Sequence, residues 1–230
     1  MKTLSFAVVL CIAFFVGACD TAEVTPPESP ASASRIVSST PVIPFQASGS
    51  VGGGVLDVGV FFPPTDGSIS KLVRTADFVE YTIQTGGLPR GAYTVWFIVF
   101  NKPEECLTSP CGEEDLFVRT AIVDASAFWS AGNVVDASGN GYFKARIPKG
   151  YFPTDVDQIA WPGTGLVNTL GGEFHLIIKY HGLASNDPDV LYEQLHTLLG
   201  SCSEGANAID YGEANGGVQC FDPQLAVHVP

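Results

Sequence analysis

The sequence predicts an all-β fold, an antiparallel β-sandwich of about seven to eight strands with one short helix near the C-terminus. Three observations carry that expectation. Short runs alternate apolar and polar residues with period two, the signature of strands with one face buried. Gly and Pro are frequent, 25 and 16 of 230 residues, and they stand between the runs. One stretch alone carries a helix start, an apolar stripe and a stop. A closed barrel is the second arrangement open to such strands.

Taken in chain order, VLDVGVFF (55–62) sets Leu56, Val58, Val60 and Phe62 on one face. In DFVEYTIQ (77–84), Val79, Tyr81 and Ile83 point inward while Phe78, Glu80, Thr82 and Gln84 point out. AYTVWFIVF (92–100) is apolar on both faces, which predicts a central strand covered on both sides and a buried Trp96. LFVRTAIV (116–123) is expected as a strand. YFKARI (142–147) turns Phe143, Ala145 and Ile147 inward and Lys144 and Arg146 outward, and EFHLIIKYH (173–181) and QLAVHV (224–229) complete the set. The helix is signalled by Asp187 as cap, Pro188 at the first helical position and Gly200 as stop, with Leu191, Leu195, Leu198 and Leu199 as its stripe.

The cysteines divide by position. Cys11 and Cys19 lie in the N-terminal stretch, which leaves Cys106, Cys111, Cys202 and Cys220. An even number in an exported chain predicts disulfides, here the sequence-local pairs Cys106–Cys111 and Cys202–Cys220. A four-thiolate metal site is disfavoured, because C-x4-C with C-x17-C lacks the short paired spacing of zinc ribbons. Net charge is −13 with no basic run, so no nucleic-acid partner is expected.

At the N-terminus, Lys2 precedes mostly apolar residues from Leu4 to Val16, too short for a spanning helix and suited to a signal peptide over 1–18. VGAC at 16–19 resembles the bacterial lipobox. That resemblance implies cleavage before Cys19, a diacylglycerol on its sulfur and a further acyl chain of the palmitate kind on its amine. It makes the mature chain a lipoprotein anchored in a bacterial cell envelope, facing the periplasm or the exterior. Ordinary cleavage after Ala18 is the alternative. Asp20 resembles the inner-membrane retention signal of some enterobacteria, but other bacteria read that position differently, so either membrane remains open. Segment 19–48, with Pro26, Pro27, Pro30, Pro41 and Pro44, reads as a Pro/Ser-rich tether, and 49–230 as a single domain.

The order GLPRGAYTVWFIVFNKPEEC, GTGLVNTLGGEFHLIIKYHG and a Cys…Cys loop before a last strand resembles a class of exported bacterial domains over about 75–230. The resemblance implies one domain and no particular activity.

Four histidines remain after the leader. Glu173, His175, Ile177, Lys179 and His181 share one strand face, with His175 and His181 about 20 Å apart, too far to hold one ion together. A metal site would combine Glu173 and His175 with His228 from a neighbouring strand; the competing expectation is a solvated polar face. The only Met is Met1, which disfavours a blue-copper centre. No G-x-S-x-G or H-E-x-x-H occurs, so no catalytic residue is predicted and a hydrolase ranks last. DASGNG (136–141) and NDPD (186–189) read as turns before calcium loops. Trp161, followed by Pro and Gly, is the expected loop aromatic for stacking on a sugar or anchoring an envelope protein. The resulting expectation is a membrane-tethered, non-catalytic binding or envelope-structural domain without cofactor. A periplasmic metal-binding protein is the second reading.

Overall fold

The computed structural model describes residues 35–45, 63–200, 202 and 220–230. The expected signal peptide, Cys19, most of the expected tether and the expected strand at 55–62 lie outside these residues. Two antiparallel sheets pack face to face. One has four strands in the order β1-β3-β4-β7: β1 Ile36–Pro41, β3 Ile69–Arg74, β4 Phe78–Thr85 and β7 Gly141–Pro148. The other has six, in the order β2-β10-β9-β5-β6-β8: β2 Ile43–Pro44, β5 Gly91–Phe100, β6 Ala125–Val135, β8 Ile159–Trp161, β9 Glu173–Tyr180 and β10 Phe221–His228. The sandwich expected from the alternation is therefore present, with ten strands among the described residues.

The core lies between the sheets. Leu72, Val79, Tyr81 and Ile83 from the smaller sheet meet Val95, Phe97, Phe128, Phe174 and Leu176 from the larger. The Tyr81 hydroxyl donates to Ser130 Oγ (2.6 Å), which itself donates to the Val95 carbonyl, so the one polar atom of that ring is satisfied in the interior.

β5 is covered on both faces, as its composition predicts. Its even-numbered residues Trp96, Ile98 and Phe100 face away from the smaller sheet. Ile98 and Phe100 form a second core with Cys111 and with Leu116 and Val123 of two short helices, α1 (Glu113–Phe117) and α2 (Thr120–Val123). These helices replace the strand expected at 116–123. Asp115 decides the outcome: its carboxylate takes the Gly112 and Leu107 amides and the Arg119 guanidinium, which fixes a helical first turn. Leu116 and Val123 are then buried, while Phe117, Val118 and Ile122 are exposed.

Helix α3 (Pro188–His196) starts as expected, with the Asp187 carboxylate accepting from the Asp189 and Val190 amides. It ends at His196 rather than Gly200, because Thr197 is already extended and Leu198 N pairs with the Asp157 carbonyl. Gly200 serves another purpose. The chain doubles back so closely that a Cβ there would lie 1.9 Å from the Glu193 oxygen. α3 lies across β5 and β6, where a Cβ at Gly132 would meet the Leu195 oxygen at 2.2 Å.

Residues 36–44, read as tether, are two strands. β1 pairs with β3 over six residues, Val42 is buried as the chain crosses between sheets, and β2 pairs with β10. An extended, proline-bearing segment is suited to this role, because edge strands tolerate a missing N–H. The strands of the sandwich thus start at Ile36 among the described residues, ahead of the boundary expected at residue 49.

Candidate functional site

The β9 face that carries Glu173, His175 and His181 is covered rather than solvated. Glu173 is buried, and its Oε1 accepts from the Cys111 amide (2.6 Å) and lies 2.7 Å from His175 Nε2. The i, i+2 spacing places both side chains on one face, and the Cys106–Cys111 disulfide holds the loop that closes over them. His175 packs edge-on against Phe100, with centroids 5.1 Å apart. The buried carboxylate is thus the hydrogen-bonding floor of the first disulfide loop.

His228 does not join this pair. In the β9–β10 ladder it stands opposite Phe174, so it shares the core-facing side with that ring while His175 points the other way. Its Nε2 lies 2.8 Å from Ser70 Oγ and its Nδ1 3.3 Å from Ser38 Oγ. The expected Glu173–His175–His228 metal site is corrected accordingly: the pleat sets its members on opposite faces of the sheet. Burial, with lesser repulsion from Arg74 and His175, lowers the His228 pKa to about 4.

His181 sits at the far end of the same β9 face, under α3. Its hydrogen bonds determine its tautomer. Nδ1 is 3.0 Å from the Gly200 carbonyl, which only accepts, so Nδ1 carries the proton. Nε2 then accepts from the Thr94 hydroxyl (2.7 Å), whose oxygen in turn accepts the Trp96 indole N–H (2.9 Å). Burial chiefly, then the Lys179 charge, pushes the His181 pKa down to about 3, with the Gly200 bond opposing. The sulfurs of Cys202 and Cys220 lie 3.4 and 3.8 Å from Nδ1. Two groups of His, Cys and carboxylate come together among the described residues: His181–Cys202–Cys220 and Cys106–Cys111–Asp115. In both, the sulfurs are joined as disulfides, which removes the thiolates a metal would take.

The remaining candidates also resolve into structure. Trp161 is not on a loop. It ends β8, is half-buried, donates its indole N–H to Thr120 Oγ1 (2.9 Å) and meets Phe117 edge-on at 5.0 Å. A polar partner and an apolar neighbour on α1 and α2 draw it onto the second core, so it is not the free stacking platform expected. Asp136, in DASGNG, accepts from the Ser138 amide and hydroxyl, bonds that hold its carboxyl below the ordinary range. Asp187 caps α3. Both acidic loops are thus turn and cap.

Two buried polar residues were not singled out by the sequence. Gln194, on the inner face of α3, donates to the His181 and Leu183 carbonyls and accepts the Ser185 amide. Arg74 lies under the core, its guanidinium 4.7 Å from the Phe174 ring centroid, and donates to the carbonyls of Leu170, Gly172, His228 and Val229. Burial lowers its pKa to about 10, the Glu173 charge opposing, so it stays cationic. Alternation with Ser70 and Leu72 is the one hint that Arg74 points inward.

Site and fold together define a disulfide-stapled antiparallel β-sandwich in which His175, His181 and His228 are hydrogen-bonded to the fold's own side chains. No family model, curated protein or solved structure matches this chain.

Proposed function

We propose that the chain is a lipid-anchored protein of the bacterial envelope whose sandwich is a non-catalytic binding or envelope-structural module. One observation carries this reading. All four cysteines of the domain are spent in two disulfides, the state of an oxidising, extracytoplasmic compartment. An export leader ending in VGAC supplies the route there and leaves Cys19 for lipid. The hydrogen-bonding of His175, His181 and His228 within the fold also favours binding over acid–base chemistry.

The test is made in a bacterial host. Wild-type protein is expected in the membrane fraction with an acylated N-terminal cysteine by mass spectrometry. Cys19→Ala should abolish acylation and release the protein from the membrane. An unmodified cysteine at the wild-type N-terminus would overturn the anchor.

A further inference from the structure

The outer face of the four-stranded sheet gathers cations that the sequence scatters. The register aligns Ser39, Lys71, Thr82 and Lys144 in one row across β1, β3, β4 and β7, and Val37, Val73, Glu80 and Arg146 in the next. Lys71, Lys144 and Arg146 are exposed and face one carboxylate, Glu80, in a chain with 11 Lys and Arg against 24 Asp and Glu. The other side of the molecule is the reverse. Segments 103–115, 150–161 and 184–200, which cover or flank the six-stranded sheet, hold ten carboxylates and no Lys or Arg.

We propose that this sheet face, exposed among the described residues, binds an acidic polysaccharide, one bearing carboxylate groups along its backbone. The proposal rests on the binding-module reading and names its ligand class. Charge complementarity selects a polyanion. Lys71 and Lys144 stand two strands apart, roughly 10 Å, a span suited to successive acidic groups along a sugar chain. Arg146 lies over the Phe78 ring at 4.3 Å and is held by Glu80 at 2.8 Å, with 59% of its side chain exposed, which presents a fixed guanidinium edge for carboxylate. Between and beside the cations are a hydroxyl and an amide, Thr82 and Gln84, suited to sugar hydroxyls. Tyr142, opposite Gln84 and 50% exposed, supplies an aromatic surface. Around Lys71 and Lys144 the central row offers the hydroxyls of Ser39 and Thr82, and the apolar Val37 and Val73 stand in the row beside it. The stacking role expected of Trp161 thus belongs to Tyr142, on the other sheet.

The test uses the mature lipidated protein in detergent with polygalacturonate and neutral dextran as probes, and the lipid-free Cys19→Ala chain without detergent for phosphatidylglycerol-containing vesicles, so that the anchor itself does not bind them. Polygalacturonate should bind and neutral dextran should not, with affinity falling steeply as salt rises. The triple variant Lys71→Gln/Lys144→Gln/Arg146→Gln should lose about tenfold or more, because each lost cation forfeits counterion release. Tyr142→Ala should weaken binding several-fold, and Arg90→Gln/Lys102→Gln, away from the face, should leave it unchanged. The single variants Lys71→Gln and Lys144→Gln, both at exposed positions, should show smaller losses with unaltered thermal melts, which separates binding from folding. Absence of polygalacturonate binding, equal binding by the triple variant, or binding to vesicles in place of the glycan would each overturn the proposal. A membrane-retained protein that fails to bind sinks this inference and leaves the anchor standing; a lipid-free protein that binds does the converse.

Discussion

Burial keeps His181 and His228 neutral until about pH 3 and about pH 4, whereas an imidazole in the unfolded chain takes its proton near 6.5. The native state therefore binds fewer protons than the unfolded state between those limits. Their stabilising contribution is complete above about pH 6.5 and is lost as pH falls towards 4 and 3. Each histidine should cost about 1.4 kcal/mol per pH unit in that window. Guanidinium melts between about pH 7 and pH 5 should show the decline. His181→Gln should be less stable than wild type at neutral pH, with the gap narrowing on acidification. A constant gap would mean that His181 is not held neutral by burial. The indoles offer a second test. Trp96 is almost wholly buried, so Trp96→Ala should cost about 3–5 kcal/mol. Trp161 is half-buried with a bonded N–H, so Trp161→Ala should fall between that value and the roughly 0.5 kcal/mol of a surface change. A loss as small as the surface value would free Trp161 from the second core. The position of Trp96 was legible because both faces of its run are apolar. That of Trp161 was not, since its neighbours Phe117 and Thr120 come from about forty residues away.

Among the elements, alternating or wholly apolar runs could be read in advance: β4, β7, β9 and β10, and the doubly apolar β5, fall where the pattern places them. β1 was hidden because an edge strand needs no alternating apolar face, and its Pro and Ser residues imitate a tether. The helices α1 and α2 were hidden by the apolar run LFVRTAIV, although Asp115 three residues after Gly112 carried the helix-start signal. The disulfide pairs were legible from the even number of cysteines and their nearness in sequence, and their work differs. Cys202–Cys220 spans a separation of 18 residues and Cys106–Cys111 one of 5, which makes the longer link worth about 3 kcal/mol and the shorter about 2 in the chain-entropy account. Cys202→Ser/Cys220→Ser should accordingly lower the unfolding free energy more than Cys106→Ser/Cys111→Ser. The reverse order would show that the short loop acts mainly through the Glu173–Cys111 contact, not through chain entropy.

At the scale of the whole molecule, charge is the property least visible in the sequence. A net charge of −13 suggests uniform acidity, yet the strand register segregates a cationic face from an acidic one. Lys71, Lys144 and Arg146 are separated by as many as 75 residues and become neighbours only through the order β3-β4-β7. The histidines show the converse. That His175 and His181 share a side of the β9 segment followed from parity, the core-facing side of His228 did not, and what covers each side depends on loops and helices that alternation does not report.

Arg74 has one more consequence. Its strand partner is Ile36, the first residue of β1, while its guanidinium grips the carbonyls of His228 and Val229. Ser38 and His228 touch two residues further in. The first and last described strands are therefore latched by one side chain, and truncating Arg74 would loosen both strands together.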